Sequence, residues 1–216
     1  PKDKLVDEFE YDLENFEPSV VKCDPILLVD EEEMRPRTDL RDRLGIPHDA
    51  LLVYLQLGAG QIDDIKSNVN LCLNELKNHD NIYVVLGESM IGDRIPSIGG
   101  NVRVLTDYPN SLDFKAFDFT IMAAGYNSYH EAIRFSLPMI CIPNQKTGMD
   151  DQLARAEVAE KAGAMIVLRK VTPSKLKIAV ERLMNADVRA SMAKKSESLH
   201  RPNGANQLAL WIINEI

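Results

Sequence analysis

The chain has 216 residues, of which 45% are hydrophobic and 27% charged, enough apolar material for a sizeable core without disulfides or metals. Its formal charge of −8 gathers at the start, where residues 1–33 hold twelve acids and three bases; the remainder is within one charge of neutral. No basic patch argues for nucleic acid, no apolar run reaches the ~18 residues that span a bilayer, and the opening PKDKLVDEFE has neither the basic nor the apolar stretch of a signal peptide.

Cys23, Cys72 and Cys141 show no CxxC spacing, and the latter two sit in apolar segments as small buried hydrophobes do. A reducing, cytoplasmic compartment is therefore expected. The histidines at 48, 79, 130 and 200 are scattered, so neither a metal site nor a bound cofactor is expected.

Residues 1–49 read as an acidic leader and linker broken by Pro18 and Pro25. Within it a short strand is predicted at Ile26–Val29, and a short helix around Leu40–Leu44 closed by Gly45 and Pro47. From Ala50 the texture changes. Apolar runs predict strands at Leu51–Leu57, Ile82–Leu86, Val102–Leu105, Phe119–Ala123, Met139–Ile142 and Met165–Val167. Helical spacing predicts helices at Asp63–Lys77, Ser128–Phe135 and Asp151–Ala162, then at 173–184, 186–197 and 205–215, with Trp211 as a packing anchor. Short strands that are apolar on both sides, alternating with amphipathic helices, predict an α/β domain over residues 50–216, a doubly wound parallel sheet of Rossmann type.

Such sheets bind ligands beyond the carboxyl ends of their strands, so the segments after each strand carry the chemistry. Gly58-Ala59-Gly60-Gln61 follows the first strand. Its glycines let backbone approach a ligand, although Asp63 stands where a dinucleotide fingerprint needs a third glycine; a plain strand–helix turn is the other reading. Gly125-Tyr126-Asn127-Ser128 leads into a helix whose unpaired amides suit a phosphate, with Asn127 or Ser128 as the capping residue. Two readings of Glu131 are open. It can close a capping box with Ser128, or it can accept hydrogen bonds from sugar hydroxyls. After the fifth strand, Asp151 and Gln152 offer acceptors and an amide donor for several hydroxyls, while acids there also suit a helix start.

Together these residues resemble a known signature. GYNSYHEAIRFSLPMICIPNQKTGMDDQLARAEVAEKAGA, from Gly125 to Ala164, resembles in order and spacing the donor-binding segment of GT-B glycosyltransferases. It is similar to the lipid II N-acetylglucosaminyltransferase and UDP-glycosyltransferase families, and the strand–helix order extends the likeness over about Ala50–Ile216. The resemblance implies a C-terminal nucleotide-sugar-binding half. Its diphosphate would rest on Gly125, Tyr126, Asn127 and Ser128, its ribose on Glu131 and its sugar on Asp151 and Gln152. The Gly58-Ala59-Gly60-Gln61 turn would face the interdomain cleft, and the base would lie near Leu105–Pro109, against Tyr108.

The resemblance also implies inverting, metal-independent transfer from a UDP-sugar, or a dTDP-sugar, to an acceptor hydroxyl, with the acceptor site and base on an N-terminal domain or partner chain. No catalytic residue is assignable within these residues, and His130 is expected to face away. Asp24-Pro25-Ile26-Leu27-Leu28 resembles the interdomain linker, so a longer protein, or one half of a split enzyme, is expected; membrane contact would come indirectly, through a lipid acceptor. Ala123 departs from the histidine of many relatives and Ser136 from their glycine. The competing expectations are an NAD-dependent oxidoreductase, a sugar-nucleotide epimerase and a non-catalytic sugar-nucleotide-binding subunit.

Overall fold

The computed structural model describes residues 22–58, 63–88, 99–145 and 150–215. Helix α1 (Arg37–Leu44) follows Pro36 and ends at Gly45, whose φ of 63° places it in the left-handed region, with its N–H returned to the Arg41 and Asp42 carbonyls. Strand β1 (Leu51–Gln56) comes next, then α2 (Asp63–Leu76), β2 (Ile82–Gly87) and β3 (Val102–Leu105). A 3-10 segment at Asn110–Ala116 leads to β4 (Phe119–Met122). The second half alternates α3 (Tyr126–Arg134), β5 (Met139–Cys141), α4 (Gln152–Ala162) and β6 (Met165–Val167), and closes with α5 (Pro173–Met184), α6 (Ala186–Ser196) and α7 (Ala205–Glu215).

The six strands form one parallel sheet in the order β3-β2-β1-β4-β5-β6, so the order reverses between β1 and β4. Alternation along each strand builds two cores. Leu52 and Tyr54 of β1 face one layer with Met139 and Cys141 of β5; Val53 and Leu55 face the other with Phe119, Ile121 and Ile140. Both faces are covered by helices, which is why these strands are apolar on both sides.

The amino ends of β1 and β4 are fixed by a buried ion pair. Arg41, 1% exposed, donates to the carbonyls of Pro47, Ala50 and Ala116 and meets Asp118 at 2.9 Å; Asp118 also accepts from the Leu52 N–H at 2.8 Å. Burial lowers the Arg41 pKa, and the Asp118 charge works against that fall. This network lies at the opposite end of the strands from the ligand-binding edge, so its role is to hold the frame.

Two expectations need correction. Ile26–Val29 is not a strand: Leu27 and Val29 are buried, but the Leu27 backbone pairs with the Asn203 side chain instead of a neighbouring strand. Trp211 is not a packing anchor. It is 37% exposed on α7, beside Leu210, Ile212 and Ile213, which are also exposed. Among the described residues no helix is long and apolar enough to cross a membrane.

Candidate functional site

Strand β4 ends at Met122, and Ala123-Ala124-Gly125 carries the chain into α3. The helix begins at Tyr126 with Gly125 as its N-cap, and no side chain caps it. Neither Asn127 nor Ser128 is therefore the capping residue, and the Ser128–Glu131 capping box does not form. Tyr129 N–H is the first amide to close on the helix, reaching the Gly125 carbonyl at 2.9 Å. The amides of Tyr126, Asn127 and Ser128 consequently have no partner within α3, and they point out of its positive end. A helix start of this kind accepts an anion.

Against this helix start lies a cavity of about 340 Å³. It sits at the carboxyl ends of β1 and β2, beside the β1–β4 reversal, the position where open α/β sheets bind ligands. Asn127, Ser128 and Glu131 of α3 form one wall. Gln56 and Glu88 come from strand ends, Tyr108–Ser111 and Phe114 from the segment after β3, and Leu28 from the linker. Of the residues expected at the site, Tyr108, Asn127, Ser128 and Glu131 are thus brought together, from two separate stretches of sequence.

The floor of the cavity is polar and buried. Asn110 Nδ2 donates to the buried Tyr54 phenol at 2.7 Å, and burial raises that phenol's pKa. Glu131 is 8% exposed; burial raises its pKa, and the Ser111 hydroxyl beside it pulls the other way. Where it is ionised, a carboxylate this buried is a strong acceptor for any hydroxyl that reaches it.

The residues of the third expected segment border the helix start and do not line the cavity. Asp151 caps α4, accepting from the Ala154 N–H at 2.9 Å. Gln152, 9% exposed, accepts the Asn144 N–H at 2.9 Å and lies beside Gly125. Arg155 joins this segment to the helix start: Nη1 donates to the Ala124 carbonyl at 2.6 Å and Nη2 meets Asp150 at 2.5 Å, which lowers the Asp150 pKa. Its guanidinium lies 5.9 Å from the Tyr126 ring centre.

Tyr126 stands outside the cavity, its ring 4.6 Å from His130 and its hydroxyl accepting from the Ile26 N–H at 3.4 Å. His130 packs between Tyr126 and Tyr129, and burial followed by the Arg155 charge lowers its pKa, which favours the neutral ring. Gly58, two residues beyond β1, has a φ of 101°, a conformation for which glycine is suited. Ala59, Gly60 and Gln61 lie outside the described residues.

The family model of the glycosyltransferase family 28 C-terminal domain matches residues 58–208. The chain belongs to this glycosyltransferase family. Over 135 residues it is 29% identical to the UDP-N-acetylglucosamine–N-acetylmuramyl-(pentapeptide) pyrophosphoryl-undecaprenol N-acetylglucosamine transferase of Limosilactobacillus fermentum, covering 61% of this chain and 35% of the relative. It is 22% identical to an uncharacterized glycosyltransferase of Methanopyrus kandleri, covering 81% of this chain and 50% of the relative. Among solved structures, MurG of Acinetobacter baumannii superposes with a TM-score of 0.63 at 19% identity, covering 93% of this chain and 58% of that one. The glycosyltransferase VinC, solved in complex with dTDP, gives a TM-score of 0.55 at 20% identity, covering 78% and 43%. This family 28 domain thus has the GT-B type of α/β sheet, and the chain spans half or less of the length of the curated relatives named.

Leu28, Tyr54, Asn110 and Ser111 line the cavity, and Arg155 ties its helix start to Asp150; sequence reasoning named none of them as candidates. Only the apolar run around Tyr54 hinted at one of them, because a tyrosine inside a buried strand needs a partner for its hydroxyl.

Proposed function

We propose that the chain is the donor-binding half of an inverting, metal-independent glycosyltransferase that moves a sugar from a UDP-sugar, or a dTDP-sugar, to an acceptor hydroxyl. The observation that carries the reading is the meeting, at one strand-end cavity lined by Asn127 and Ser128, of helix-start amides that have no partner within α3 with a buried carboxylate one turn further on. A diphosphate fits the first and a ribose diol the second. Tyr108, 56% exposed on the cavity wall, offers a face for the base.

In the transfer step the bond between the anomeric carbon and the diphosphate breaks, and its electron pair leaves on the diphosphate oxygen. The helix-start amides and the Ser128 hydroxyl stabilise the charge where it grows, an interaction of the kind that lowers a barrier by about 2.7–4 kcal/mol per donor. Fixed dipoles supply this stabilisation without a metal. The acceptor oxygen attacks the opposite face of the anomeric carbon, and its proton goes to a base that belongs to an acceptor domain.

In this reading residues 50–216 are the donor domain and 1–49 lead into it, with Asp151, Gln152, Gly125 and Tyr126, beside the helix start, and Gly58, Ala59, Gly60 and Gln61 as further donor contacts. The acceptor half, on the same protein or a partner, has a surface to pack on: Leu210, Trp211, Ile212 and Ile213 of α7 are exposed. The chain by itself binds donor without turnover, in the cytoplasm, and meets a membrane only through its acceptor. Support for the nucleotide comes from the names of relatives, one a UDP-N-acetylglucosamine-dependent transferase and one crystallised with dTDP.

Calorimetric titration of the chain with UDP, dTDP, GDP and NADH, repeated with Ser128→Ala and Glu131→Ala, tests the proposal. It predicts binding of a pyrimidine diphosphate that both substitutions weaken. Binding of NADH alone, or UDP binding that neither substitution changes, would overturn it.

A further inference from the structure

The segment Asp24–Asp30 crosses the start of α7 and is fastened there at several points. The Asn203 amide holds both backbone groups of Leu27, Oδ1 accepting from the N–H at 3.0 Å and Nδ2 donating to the carbonyl at 3.2 Å. Nδ2 also donates to Asp30 at 3.0 Å, and Gly204 N–H donates to the Pro25 carbonyl at 2.8 Å. A side chain on Gly204 would collide with the Asp24 carbonyl, so the two backbones approach as closely as they do because the residue is glycine. Beyond the pinned Leu27 the chain bends, and burial alternates along it. Leu27 and Val29 are 6% and 2% exposed, and Leu28 between them, 55% exposed, is turned to line the cavity.

We propose that Asn203 is a positioning residue of the donor site: by pinning Leu27 it presents Leu28 as an apolar wall for a bound nucleoside diphosphate, which couples the start of α7 to nucleotide binding. The inference rests on the reading of this cavity as a nucleoside diphosphate site. Leu28 carries no polar side-chain atom, so what it offers is cover for the carbon face of the nucleoside. Asn203 itself does not line the cavity, and it also accepts the Ala205 N–H at 3.1 Å, so its amide serves the helix start and the linker together.

The test is titration of UDP into the full chain and into Leu28→Ala, Asn203→Ala, their double variant, and Asn185→Ala. Asn185 accepts the Asp187 and Val188 N–H groups at the start of α6, away from the cavity, and so is a matched loss of a helix cap. Losing the cover of a half-exposed leucine is expected to weaken UDP about fivefold, equally for Leu28→Ala and Asn203→Ala. The double variant is expected to bind no more weakly than either single variant, because both remove the same contact. Asn185→Ala is expected to lose stability while binding UDP as wild type does. Wild-type affinity in Leu28→Ala or in folded Asn203→Ala overturns the proposal, and so do additive losses in the double variant. If UDP does not bind the wild-type chain at all, the nucleotide reading falls and the proposal with it; if UDP binds and Glu131→Ala weakens it while Asn203→Ala does not, the proposal falls alone.

Discussion

Replacing Glu131 by glutamine is expected to move stability and binding in opposite directions. The carboxyl is 8% exposed, and burial holds its pKa above the ordinary value. A group of this kind favours folding fully when protonated. That contribution is complete below the pKa of the unfolded chain's carboxyl and is lost as pH rises through the folded value. Glutamine keeps the shape but carries no charge at any pH, so the ligand-free variant is expected to melt at or above the wild-type temperature at neutral pH, and its advantage should shrink in acid. Binding runs the other way. Hydrogen bonds to a charged group contribute about 1.5–3 kcal/mol, and at a carboxylate this buried little of that is screened, so UDP should bind roughly 10- to 150-fold more weakly to Glu131→Gln at neutral pH. The wild-type advantage should fade as pH drops through the raised pKa. The nucleotide's own terminal phosphate titrates near pH 6 and affects both proteins alike, so the ratio of their affinities isolates Glu131. Calorimetry from pH 5 to 8 with thermal melts on the same samples measures both effects. A variant that is less stable yet binds UDP normally would refute the reasoning and make Glu131 a structural residue.

Gly87→Ala places a methyl group inside contact distance of the Tyr54 phenol, the floor of the cavity; it should lower stability by about 1–3 kcal/mol in urea titrations and weaken UDP as well. Asp118→Ala strips the buried Arg41 of its carboxylate at the far end of the strands, so chemical denaturation should report a loss of about 3–5 kcal/mol, with UDP affinity unchanged in the folded protein. Ser136 has a φ of 51°, the left-handed region that β-branched residues resist. Ser136→Val should therefore cost about 1–3 kcal/mol, whereas Ser136→Gly should stay within about 1 kcal/mol of wild type even though it loses the 3.1 Å contact to His200; thermal melts compare the two.

The sheet and most helices were legible because each strand is an apolar run set between breakers and each helix carries its own period. Gly45 and Gly163 mark helix ends that the left-handed φ values of 63° and 76° bear out. The linker was misread for a physical reason: alternation at Ile26–Val29 is real, with Leu27 and Val29 inward, but alternation does not reveal whether the backbone partner is a strand or an asparagine amide. Trp211 misled similarly, since an apolar helix face looks the same in sequence whether its cover lies within these residues or not. At α3 the pattern Ser-x-x-Glu suggested a closed capping box. The helix instead starts two residues before Ser128, at Tyr126, which leaves Glu131 free to line the cavity. Asn110 and Ser111 were invisible, and the place of Tyr54 at the cavity floor with them, because only the crossing of β1 with the segment after β3 brings these residues under that carboxylate.

The central claim is that a nucleoside diphosphate sits on the start of α3 and reaches Glu131. Amide-resolved NMR titration with UDP tests it most directly. The account predicts that the backbone amides of Tyr126, Asn127 and Ser128 shift together with those of Ser111 and Glu131, all saturating with one dissociation constant. Shifts confined to Gly58 and the start of α2, with α3 unmoved, would contradict it.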